Sequence, residues 1–203
     1  ASRSQEVPTS KRYIFDAETN GLLHQLDRFH SLVLHDLDTG EVVSCAHAEG
    51  YKSIEHGLQL LADADEIIAH NGIGFDIPAI KLVYPEWETR AKVTDTLVLA
   101  RLLFPDMKGM DFKAREKAQA RGKDPTLPGF LIGAHSLKSW GYRLGMLKGD
   151  FGDTNDWSRW SPEMQEYCER DVAVTVKLYQ MLASKFDLEG EWSQAIDIEM
   201  RFQ

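Results

Sequence analysis

Arg12-Tyr13-Ile14-Phe15-Asp16-Ala17-Glu18-Thr19-Asn20-Gly21 decides how the chain is to be read. The first five residues are β-rich, and Thr19-Asn20-Gly21 closes the run with turn residues. Strand side chains alternate, so Asp16 and Glu18 face the same side. Two neighbouring carboxylates repel unless a cation sits between them. Taken alone, the doublet suits a metal site or a pair of exposed turn acids.

Working outward, Phe29–Leu34 and Val42–Ala46 are β-type runs separated by the turn Asp36-Leu37-Asp38-Thr39-Gly40. Three such strands with tight turns predict an antiparallel meander. Ser53–Ala62 has helical spacing, with Ile54, Leu58 and Leu61 on one face and Ser53 as its cap. Glu66–Ala69 reads as a short strand, and Phe75–Val83 as a helix with Pro78 near its start. Val93-Thr94 leads into a helix over Asp95–Phe104. Pro105–Gly133 reads as a basic insertion, with one exposed helix over Phe112–Ala120 and a mobile loop. Ser136–Leu144 is a capped helix stopped by Gly145, and Gly149–Trp160 an acidic, aromatic loop. The last long helix begins at Ser161-Pro162-Glu163, a cap followed by proline, and runs to about Phe186. This order predicts an α/β fold with a mixed sheet.

Two further stretches carry chemistry. Asn71-Gly72-Ile73-Gly74-Phe75-Asp76 follows a strand, where α/β sheets place ligands, although Asp76 also suits a helix cap. Tyr167-Cys168-Glu169-Arg170-Asp171 lies on the long helix, where residues four apart share a face. A half-buried helix face with a satisfied tyrosine is the plainer reading of that pair. Taken together, four carboxylates and a tyrosine change the balance. Hard oxygen donors without clustered histidine or cysteine point to Mg²⁺ or Mn²⁺. Two such ions about 4 Å apart are the recurring device of phosphodiester cleavage.

The chain has 203 residues, 43% of them apolar, enough for one domain with a core. Its two cysteines exclude a disulfide scaffold and fit a reducing compartment such as the cytoplasm. No apolar run is long enough to span a membrane. Residues 1–11 read as a polar, flexible leader preceding one domain over residues 12–203. Net charge is −9, which argues against nonspecific coating of nucleic acid. Residues 101–148, however, carry ten basic residues and four acids, leaving −15 on the remainder. Such a segment suits a phosphate backbone or a solvated helix equally.

The motif set Asp16/Glu18, Asp76 and Tyr167/Asp171 resembles the DEDD superfamily of 3′–5′ exonucleases, tyrosine branch. Within it, the chain is similar to the proofreading domains of family A DNA polymerases, especially those of podoviruses. The resemblance spans Tyr13 to Gln203. It is carried by Ile68-Ala69-His70-Asn71-Gly72 and by Asp95-Thr96-Leu97-Val98-Leu99-Ala100-Arg101. Its most specific stretch is Ala134-His135-Ser136-Leu137-Lys138-Ser139-Trp140-Gly141-Tyr142-Arg143-Leu144-Gly145. Ala195–Glu199 looks like the junction where such polymerases enter the thumb. Palm, fingers and thumb are absent, so the resemblance assigns no polymerisation to these residues.

The resemblance implies an RNase H-like mixed β-sheet flanked by helices. It implies two ions, with Asp16 shared between them, Glu18 and Asp171 completing one site and Asp76 holding the other. Tyr167 and Glu18 would orient the attacking water, and nucleoside monophosphates would leave from a DNA 3′ end. The expected substrate is single-stranded DNA or a frayed primer end, with a polymerase domain or subunit as partner. Leu22 stands where the family uses an apolar side chain against the terminal base, although a loop leucine covering the core reads equally well. Asn71 joins it as a strand contact. Lys108, Lys113, Arg115, Lys117, Arg121 and Lys123 are the candidate strand guide. Competing readings are a ribonuclease of the same superfamily and a vestigial strand-binding scaffold. Plain roles are expected for His70, His135, Trp140, Tyr142 and Cys168, and for Trp157 and Trp160 packing onto the domain.

Overall fold

The computed structural model describes residues 10–146 and 156–203. Five strands form one mixed sheet in the order β3-β2-β1-β4-β5. They are β1 (Arg12–Thr19), β2 (Phe29–Asp36), β3 (Val42–Ala46), β4 (Glu66–Ala69) and β5 (Lys92–Asp95). The first three pair antiparallel as the predicted meander, whereas β4 and β5 add parallel to β1. Strand β1 extends three residues beyond the predicted Asp16, so the carboxylate doublet lies on the strand itself.

Alternation along β1 separates two cores. Tyr13, Phe15 and Ala17 bury with Phe29, Leu32 and Leu34 under α1 (Ile54–Ala62) and α2 (Asp76–Val83). Helix α1 comes close because residue 57 is glycine: a Cβ there would stand 2.8 Å from Leu32 Cδ2. On the other face, Ile14 packs with Val33 and Ile68 against Cys168 and Val172 of α6 (Pro162–Lys185). Asp16 and Glu18 share the parity of Ile14 and so face α6.

Helix α6 is capped by Ser161, whose Oγ accepts from the Met164 N–H at 3.1 Å, and proline begins its first turn. Its second half leaves the sheet. There Leu178 and Leu182 pack with α3 (Thr96–Leu103), α5 (Leu137–Arg143) and Ile196 of α7 (Ser193–Arg201).

The basic segment differs from the sequence reading. Its helix α4 is Met107–Gln119, starting five residues early because Asp106 caps it through the Gly109 N–H at 3.1 Å. It is also anchored: Met107 and Asp111 are buried. Arg143 of α5 grips Asp111 with two bonds, at 2.9 and 2.7 Å, and the Gly133 N–H adds a third at 2.8 Å. Among the described residues, no helix is long and apolar enough to cross a membrane.

Candidate active site

The site is assembled from three places on the scaffold. β1 supplies Asp16 and Glu18, the start of α2 supplies Asp76, and one face of α6 supplies Tyr167 and Asp171. Cys168, the neighbour of Tyr167, lies over β1. Its Sγ is 3.3 Å from the Asp16 carbonyl oxygen and 3.6 Å from Asp16 Oδ2. One oxygen each of Asp16 and Glu18, with Cys168 Sγ, lie within 4.8 Å of one another. The structure thus brings together all five residues singled out for the chemistry.

Asp76 is buried in the first turn of α2, and Phe75 takes the cap position instead. The carboxyl of Asp76 accepts from its own N–H and from that of Ala17, which ties α2 to the strand carrying Asp16 and Glu18. The turn before it is shaped by Asn71, which has φ 67°, and by Gly72, where a Cβ would stand 2.6 Å from that of Ala69. Asp95 holds this turn. Its buried carboxylate accepts from Asn71 N–H (2.9 Å), Ile73 N–H (3.1 Å) and, as the cap of α3, Leu97 N–H (2.9 Å). Sequence reasoning gave Asp95 no such role. An aspartate at a strand–helix junction is a cap signal, but its reach back to the preceding loop is not local.

Crowded acids perturb one another. Burial pushes the Asp16 carboxyl well above its usual range, and Glu18, Asp76 and Asp171 push it further. Glu18 is raised by burial, then by Asp171 and Asp76. Asp76 is pushed up to about 7, chiefly by burial, with Asp95 adding to it. Asp171 rises to about 6 through burial, against the opposing hydrogen bond donated by the Tyr167 hydroxyl. That phenol is itself raised by burial and by Asp171, Glu18 and Asp16, so it stays protonated as a donor. Burial and Asp16 raise the Cys168 thiol, which donates toward the Asp16 carbonyl oxygen. The other donors at the site are carboxylate oxygens. Among the described residues, neither Asp16 nor Glu18 is paired with a lysine or arginine. Such a set fits a hard divalent cation.

Around the site, Trp157 packs edge-on to Tyr167 with ring centroids 6.0 Å apart. Trp160 packs on Tyr51 and donates to Gln165 Oε1 at 3.1 Å. Both tryptophans thus pack onto the domain, as expected; residues 149–155 of that loop lie outside the described residues. His70 Nε2 is 3.0 Å from the His135 carbonyl oxygen, a hydrogen bond linking the turn before α2 to the segment before α5, 65 residues on. Leu22 is 61% exposed, so it does not cover the core. Asn71 is also exposed.

Lys108, Lys113, Lys117, Arg121 and Lys123 are exposed, and Arg115 is half-buried. Helix α4 and its following loop line a cleft with Met181 and Lys185 of α6. These lie at least ten residues beyond Asp171, roughly 15 Å along a helix.

A model of the RNase_H superfamily matches residues 13–183. The chain belongs to that superfamily. It is a domain of the RNase H-like exonuclease type that the motif resemblance implied, with the expected mixed sheet flanked by helices. It is 31% identical over 198 residues to the DNA-directed DNA polymerase of Escherichia phage T7, a match covering 84% of this chain and 26% of the polymerase. The polymerase of Enterobacteria phage T3 matches to the same extent. The chain thus spans about a quarter of the length of these curated relatives. Among solved structures, Brucella melitensis NrnC shares the fold at TM-score 0.60 and 18% identity, over 94% of this chain and 81% of that one. NrnC has also been solved with bound Mg²⁺. Escherichia coli exonuclease I in complex with a dT13 oligonucleotide shares the fold at TM-score 0.54 and 13% identity, over 94% and 43% of the two chains. Escherichia coli RNase D, an exoribonuclease, does so at TM-score 0.56 and 15% identity, over 95% and 45%.

Proposed function

We propose that this domain is a metal-dependent 3′–5′ exonuclease that removes nucleoside monophosphates from DNA 3′ ends, as the proofreading part of a phage-type family A DNA polymerase. The observation that carries the reading is the convergence of Asp16, Glu18, Asp76, Asp171 and Tyr167, from three separate elements, on one half-buried point. Identity to two phage polymerases over 84% of the chain supports DNA as the substrate and a polymerase as the partner.

Asp16, Glu18 and Asp171 would hold one Mg²⁺ or Mn²⁺, and Asp16 and Asp76 a second. Bound ions would supply Lewis acidity toward water and phosphate. The remaining work belongs to side chains of this chain. Tyr167, protonated and bonded to Asp171, presents a fixed phenol at the edge of the acidic cluster. Glu18 presents a second oxygen acceptor there, so that together they orient a water for in-line attack. Leu22, exposed beyond the end of β1, supports the terminal base, and Asn71 contacts the strand. The basic residues of α4 and its loop, of which Arg115 and Lys123 line a cleft with Met181 and Lys185 of α6, meet the strand nucleotides upstream of the scissile phosphate.

The test is degradation of end-labelled single-stranded DNA, single-stranded RNA and a 3′-mismatched duplex, each with Mg²⁺, with chelator and with Asp16→Ala. Stepwise, Mg²⁺-dependent loss from the DNA 3′ end, abolished in the variant, is the expected result. Preference for RNA moves the domain to the ribonuclease members. DNA binding without cleavage of any substrate makes it a scaffold.

A further inference from the structure

Strand β2 is irregular where it passes the site. Glu18 pairs with Ser31 and Thr19 with Phe29, which leaves His30 without a partner of its own on β1. One extra residue on a strand is a bulge, and a bulge re-aims a side chain. The core packing records the change. Leu32 and Leu34 point to the α1 side, and strict alternation would send residue 30 there too. Phe29 occupies that core instead. His30 turns to the opposite side, toward the segment leading into α6, and its Nε2 lies 3.0 Å from the Trp157 carbonyl oxygen. His30 is only 6% exposed, and burial lowers its pKa. The Trp157 carbonyl can only accept, so the bond places a hydrogen on Nε2. Trp157 carries the link onward, with its ring at 79° to that of Tyr167.

We propose that His30 is a positioning residue: its bond to the Trp157 backbone fixes the indole against Tyr167 and so sets the orientation of the phenol toward Asp171. The bulge is the device that delivers this imidazole from β2 to a segment 127 residues away in sequence. The catalytic consequence rests on the nuclease reading; the mechanical link does not. A residue that acts this way affects turnover and leaves ground-state binding alone.

The experiment uses the full chain labelled with 3-fluorotyrosine, the Tyr167 resonance being assigned by its loss in Tyr167→Phe. Spectra are taken without metal for wild type, His30→Leu, which fills the space without a donor, and His30→Gln, which keeps an N–H donor. His30→Leu is expected to shift or broaden the Tyr167 resonance, and His30→Gln to keep it near its wild-type position. With Mg²⁺ and single-stranded DNA, His30→Leu should lower kcat about tenfold, the scale of a slight misplacement. KM should stay within about twofold, and His30→Gln should recover most of the turnover. A Tyr167 resonance in His30→Leu that superimposes on wild type overturns the proposal. A shifted resonance in a protein that cleaves nothing supports the link and overturns the nuclease reading alone. If His30→Leu does not fold, His30→Ala takes its place, read by the same Tyr167 resonance: a shift or broadening supports the proposal, and a resonance that superimposes on wild type overturns it.

Discussion

The carboxylate cluster makes the metal-free domain pH-sensitive in an unusual direction, and Asp76→Asn tests it. Asp76 titrates at about 7 in the fold against an ordinary 3.8, because burial disfavours its charge and Asp95 adds repulsion. The folded state thus holds a proton that the unfolded chain gives up. The resulting stability is complete below the ordinary carboxylate pKa and is lost as pH rises through about 7. At about 1.4 kcal/mol per pH unit, the loss from Asp76 between pH 5 and pH 8 is at most about 3 kcal/mol. Asparagine removes the charge. However, it accepts only through Oδ1, so the bonds from Ala17 N–H and its own N–H are served less well, at about 1 kcal/mol. The net gain at pH 8 is about 2 kcal/mol, or roughly 4–8 °C in Tm for a chain of this length. At pH 5 little or no gain is expected. The assay is calorimetry of wild type and Asp76→Asn in chelator, at pH 5 and pH 8. Added Mg²⁺ should raise the wild-type Tm more at pH 8 than at pH 5, and raise the variant less. An equal fall in Tm for Asp76→Asn at both pH values would refute the reasoning, since Asp76 would then be an ordinary stabilising contact.

Three other outcomes are expected. Asp111→Ala leaves Arg143 buried without its carboxylate and should cost about 3 kcal/mol, read as a fall in Tm of roughly 6–12 °C; a fall under about 2 °C would mean that α4 is held by other contacts. Leu22→Ala should weaken single-stranded DNA binding with Tm unchanged, because the side chain is exposed; a parallel loss of Tm and binding would return it to a packing role. Replacing Lys113, Lys117 and Arg121 together by alanine should reduce the slope of log K against log salt for single-stranded DNA by about 2. An unchanged slope would make α4 a solvated helix face.

Much of the fold was legible because its signals are local. Ser53, Ser136 and Ser161 cap the helices predicted from them, since a cap needs only the next three residues. Val42–Ala46 and Glu66–Ala69 stand as strands at the boundaries that their apolar runs suggest. Helix α4 was misplaced because its start depends on Asp106 as a cap and on the buried Asp111–Arg143 pair, 32 residues apart.

The sequence by itself supplied the candidate groups: Asp16 and Glu18 paired by alternation on a strand, Tyr167 and Asp171 by fourfold spacing on a helix, and Asp76 after a turn. Those periods follow from backbone geometry alone, so Asp16 with Glu18, and Tyr167 with Asp171, had to share faces. Tertiary structure alone decided which faces meet, because that depends on the side on which α6 crosses the sheet. It also decided the supports: Asp95 on the turn before Asp76, Cys168 over Asp16, and His30 delivered by a bulge to Trp157. Each joins residues from separate elements, and no local spacing encodes a contact made only after the chain has packed.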